Sequence, residues 1–73
     1  MMEAYENLAN AIILQAVKDY RRALRLLSKN PQSCSAAAAA KEMERFFRSD
    51  WYATLTSVDG EMLIRKLREE AFL

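Results

Sequence analysis

Apolar residues recur along this chain at helical spacing rather than in strand-like alternation. At 100° per residue, Tyr5, Leu8, Ala9, Ile12, Ile13, Ala16, Tyr20, Ala23, Leu24 and Leu27 fall on one broad face. That pattern predicts an amphipathic helix over about 3–29, with this face against a core. Pro31 sets its end, because a proline disfavours the helical region for Asn30 and cannot donate to a continuing ladder. Beyond the connection, the run Ala36 to Ala40 raises helix propensity, and its small side chains permit close approach to the first helix. A second helix over about 34–48 follows, with Ser33 or Ser35 able to cap it. Ala36, Ala39, Ala40, Met43, Phe46 and Phe47 share its inner face, and Lys41, Glu42, Glu44, Arg45 and Arg48 its outer one.

The rest of the chain divides at its single glycine. Ser49 caps a short helix over about 50–55, with Asp50 favourable in its first turn. Asp59 caps a last helix over about 60–71, whose apolar stripe is Leu63, Ile64, Leu67 and Ala71. A short loop between two amphipathic helices predicts an antiparallel hairpin. The expected object is therefore all-α: one domain over 1–73, a hairpin of unequal helices with a short helix and a C-terminal helix folded over one side. Trp51, Tyr52 and Leu55 are expected to seal the seam, with the two aromatics more readily core residues than exposed anchors.

Composition supports the helical reading and narrows the chemistry. One Gly and one Pro in 73 residues leave too few turn residues for a β-rich fold. Cys34 is the only cysteine and there is no histidine, which removes an internal disulfide and the usual structural zinc. The commonest general base is missing as well. A helix start can activate a thiol, but Cys34 in Ser33-Cys34-Ser35 reads first as a small residue near a cap. The glutamates Glu42, Glu44, Glu69 and Glu70 form no pair at catalytic spacing, and no glycine-rich loop is present to cradle a phosphate. The expectation is a protein without catalytic, metal or cofactor-binding residues and without a small-molecule substrate.

The net charge is +1, which gives no bulk attraction to nucleic acid or anionic membranes. Charge is nevertheless uneven. Lys18, Arg21, Arg22, Arg25 and Lys29 share the polar face of the first helix, and Asp19 is the only acid between positions 18 and 29. Such a stripe is the candidate binding surface, for an acidic protein or a phosphate backbone, although most charge runs are simply solvated. A second arrangement lies between Phe46 and Glu70, where two helices flank a break and the last carries Arg65, Lys66 and Arg68. This loosely follows helix-turn-helix order, but the intervening segment is long and Glu61, Glu69 and Glu70 dilute the charge.

Surface apolarity is the remaining feature. Leu14 and Met62 project from polar faces, Val17 sits at the margin of the core face, and the chain ends in Ala71-Phe72-Leu73. The first helix also offers more apolar face than the second alone covers, so a homodimer is a simple way to complete the core. An acidic N-terminus and an apolar run of only Ala11 to Leu14 predict neither a leader nor a membrane span, and one unpaired thiol fits the cytoplasm.

Three stretches carry a resemblance: Ala11 to Leu24, Glu44 to Tyr52 and Asp59 to Glu70. Together they resemble small uncharacterised helical proteins carried by phages and mobile elements of Firmicutes and gut bacteria. The connection from Pro31 to Ala40 is the least typical part. The resemblance implies a context, an accessory protein meeting a host factor, a nucleoprotein or its own copy, and no site residues. The reading favoured by the sequence is a non-enzymatic interaction protein that binds a protein partner or itself. The alternative is a nucleic-acid-binding regulator.

Overall fold

In the computed structural model the described residues are 4–72, with the side chains of 4–6 excepted. They form four helices in chain order: α1 (Ala4–Lys29), α2 (Cys34–Phe47), α3 (Asp50–Leu55) and α4 (Gly60–Phe72). The expectations for position 3, the Tyr5 side chain and Leu73 lie outside the described residues. The caps read from the sequence are in place. Ser33 Oγ accepts from the Ala36 amide at 3.2 Å and Ser49 Oγ from the Tyr52 amide at 3.1 Å. Asp59 Oδ1 accepts from the Glu61 amide at 3.0 Å. Each satisfies a first-turn donor with no partner inside its own helix.

α1 and α2 form the antiparallel hairpin, and their contact is the most extensive between any two helices. The core lies along it: Ala16, Tyr20, Ala23 and Leu24 of α1 meet Ala40 and Phe47 of α2, and Tyr52 of α3 with Ile64 and Leu67 of α4 close one side. Tyr20, Phe47 and Leu24 are the largest fully buried side chains. Phe47 sits between Tyr20 and Tyr52, both edge-on at 5.7 Å, the arrangement aromatic quadrupoles favour.

Three expectations are corrected. Periodicity puts Leu8 on the core face of α1, but it is 59% exposed. Leu8 lies at the edge of the stripe, at the same angle as the half-exposed Leu26, and near the start of α1, whose 26 residues span about 39 Å against about 21 Å for the 14 of α2. Trp51 is expected in the seam with Tyr52, but only Tyr52 is buried. Adjacent residues on a helix point about 100° apart, and six residues of α3 cannot turn both inward. Glu44 belongs by its spacing to the solvated face of α2, yet its side chain is only 15% exposed, because α4 packs over it and supplies a cation.

Gly60 starts α4 with its backbone packed against the Phe47 carbonyl at the end of α2. A Cβ there would stand 2.0 Å from the Phe47 carbonyl oxygen. The glycine is needed for that approach and not for its dihedrals, since no positive φ occurs among the described residues.

Candidate interaction surface

The hairpin has two long sides, and they differ. On one, α4 closes the seam: Arg21 and Arg25 share a cleft with Leu67, Glu70 and Ala71, and Arg21 Nε pairs with Glu70 at 3.3 Å. A polar cluster is built into this side around Glu44. Its Oε2 accepts from the Tyr20 hydroxyl at 2.6 Å and from Arg68 Nη1 at 3.0 Å, and Arg48 approaches its other oxygen at 3.8 Å. Arg48 also pairs with Glu61 at the start of α4.

The electrostatics of this cluster follow from burial. Desolvation, reinforced by the hydrogen bond to Glu44, pushes the Tyr20 phenol up to about 12. The Arg68 guanidinium is raised further above its ordinary range, first by the neighbouring Tyr20 oxygen and then by the Glu44 carboxylate. The cluster ties α1, α2 and α4 together.

The other side of the hairpin is uncovered. A groove of about 450 Å³ runs between α1 and α2, lined by Ala11, Ile12, Gln15, Ala16 and Asp19 of α1, Met43 and Phe46 of α2, and Trp51 of α3. It continues along the seam as a second trough holding Arg22, Ala23 and Leu26 opposite Ser35, Ala36, Ala39 and Glu42, with Asp19 and Met43 common to both parts. Trp51 is 57% exposed, lines the groove and forms a T-shaped pair with Phe46, ring centroids 5.5 Å apart. Leu26, half exposed, stands at the opposite end.

The residues singled out in the sequence divide among these surfaces. Lys18, Arg21, Arg22, Arg25 and Lys29 are all exposed along α1, but Arg21 is engaged by Glu70. Arg22, alone of the five, lines the uncovered side. Arg65 and Lys66 are exposed on α4, whereas Arg68 is held by Glu44 and by the Phe72 ring at 5.9 Å. The three α4 cations are therefore not equivalent. Cys34 is exposed at the first position of α2.

Ile12, Met43, Phe46 and Trp51 emerge as a surface only in three dimensions. Helical periodicity marks the first three as core, and nothing in one-dimensional spacing tells that α4 docks on a single side. Leu26 gives only a partial signal: it lies 100° from Leu27, at the edge of the apolar stripe where Leu8 also falls.

No helix among the described residues is long and apolar enough to cross a membrane. Nor do three acidic or cysteine side chains gather there closely enough to hold a metal ion. The fold and surfaces define a class, a small all-α bundle with one side of its hairpin open. The chain matches no protein-family model, no curated protein and no solved structure.

Proposed function

We propose that this protein is a non-enzymatic interaction module that works by covering the open side of its α1–α2 hairpin with another protein surface, its own copy included. The observation that carries this is the placement of Trp51. A half-exposed tryptophan packed on Phe46 and lining an apolar groove is the kind of aromatic side chain on which protein interfaces anchor. The setting is the accessory role in a reducing cytoplasm that the resemblance and the single thiol suggest.

Trp51 is also the chain's only tryptophan and reports on its own environment. Association should shift its emission to the blue and shield it from acrylamide, and Trp51→Glu should abolish the association while leaving helicity intact. Association that proceeds with Trp51 still fully quenchable, or that survives Trp51→Glu, sinks the proposal.

A second reading has its own observation. Lys18, Arg22, Arg25 and Lys29 lie on one exposed face and make no ion pair among the described residues. A nucleic-acid-binding regulator would use this stripe, with Arg65 and Lys66 of α4 as the alternative contact. Binding to a duplex should then fall steeply between low and moderate salt and be lost in Lys18→Glu/Arg25→Glu. Unchanged binding in that variant excludes the stripe.

A further inference from the structure

We infer that the occupant of the open groove is a second copy of this chain, docked as an antiparallel α1–α1 pair about a two-fold axis passing between residues 20 and 21. The inference rests on the reading of this side as an interaction surface and adds the partner and the register.

Charge complementarity sets the register. Asp19 and Arg22 both line the open side, one helical turn apart, and neither is in an ion pair among the described residues. Asp19 accepts a hydrogen bond from Gln15 at 3.1 Å, which holds its carboxylate without neutralising it. With the dyad between them, Asp19 of each copy faces Arg22 of the other, so two opposite-charge pairs form from one choice of axis. The same axis then fixes the apolar contacts without further adjustment. Residues 26 and 15 are equidistant from it, each about 8 Å along the helix at 1.5 Å per residue. Leu26 of one copy therefore arrives at the level of Gln15 of the other, over the groove walled by Ile12, Met43, Phe46 and Trp51.

Space is available at both ends. Where the partner's Gln15 comes down beside Leu26, the wall from α2 is Ser35, Ala36 and Ala39, small enough for a helix to approach closely. The exposed knob and the groove are thus on the same molecule, related by the symmetry that closes a dimer rather than by a translation that would make a fibre.

The test is charge reversal with rescue. Sedimentation equilibrium of the wild-type chain from micromolar to millimolar concentration should show a monomer–dimer equilibrium. Arg22→Asp places acid against acid twice and should weaken the dimer on the order of tenfold. Asp19→Arg/Arg22→Asp restores both pairs and should restore the wild-type constant. Leu26→Asp should leave a monomer with unchanged circular dichroism, since Leu26 is outside the core. A dimer indifferent to Arg22→Asp, or one that the double variant fails to rescue, overturns the register and the inference with it. So does a wild-type chain that stays monomeric throughout. In that last case the broader proposal still stands if a different protein shields Trp51 from quencher, and both fall if nothing does.

Discussion

Tyr20 and Tyr52 are both buried, and their hydroxyls meet opposite circumstances. Tyr20 donates to the Glu44 carboxylate, whereas the Tyr52 hydroxyl has no partner among the described residues. A hydrogen bond to a charged group contributes more than a neutral one, and an unpaired buried hydroxyl contributes only its desolvation cost. Tyr20→Phe should therefore lower stability by about 1–2 kcal/mol in urea unfolding, while Tyr52→Phe should leave it unchanged or raise it. The pH dependence has the same origin. The folded-state phenol of Tyr20 titrates at about 12, above its ordinary value of 10.0, so the protonated form is the one the fold favours. Its contribution is whole below the ordinary value and is lost as pH rises from there toward about 12. Stability measured across that window should fall more steeply in the wild-type chain than in Tyr20→Phe. Gly60 is a third residue whose identity is dictated by its surroundings. The methyl group of Gly60→Ala meets the Phe47 carbonyl, and the backbone displacement should cost on the order of 1–3 kcal/mol.

At the scale of the helices, the caps and the periodicity act together. Ser49→Ala removes the acceptor for the Tyr52 amide and should destabilise by about 1 kcal/mol, because α3 has six residues and little else to hold its first turn. Ser33→Ala should show a similar loss, read as a drop in the urea midpoint with unchanged slope. These local signals are why the elements were legible in the chain itself: Pro31, Ser33, Ser49 and Asp59 mark boundaries through backbone chemistry that needs no tertiary context. The core faces of α1, α2 and α4 were legible for the same kind of reason, since periodicity states which side of a helix is apolar. It does not state how far a neighbour extends, so the exposure of Leu8 was hidden. It also does not state where α4 docks, and that choice decides that Glu44 is sheltered and that Phe46 and Trp51 border a groove. The basic stripe was visible as a set of residues, but the pairing of Arg21 with Glu70, 49 positions away, was not.

For the whole molecule, unequal helix lengths predict unequal protection. The first turns of α1 run past its partner, in an object 45 Å long and only 21 by 17 Å across. Amides near Ala11 should exchange with solvent well before those near Leu24, whose side chain is fully buried. Leu24→Ala should be among the most damaging single changes, at about 2–5 kcal/mol. The cluster at Glu44 has a different kind of consequence. An α1–α2 hairpin by itself offers two apolar sides, and a third helix laid on either would bury a comparable stripe, giving bundles of opposite hand. The short passage through Gly60 fixes where α4 begins, while the phenol of Tyr20 and the guanidinium of Arg68 meeting on one carboxylate fix the side it takes. Those groups should therefore help to set handedness. Weakening them should first blur the choice between two mirror-like arrangements, visible as doubled tertiary signals for α4, while the helices themselves remain formed.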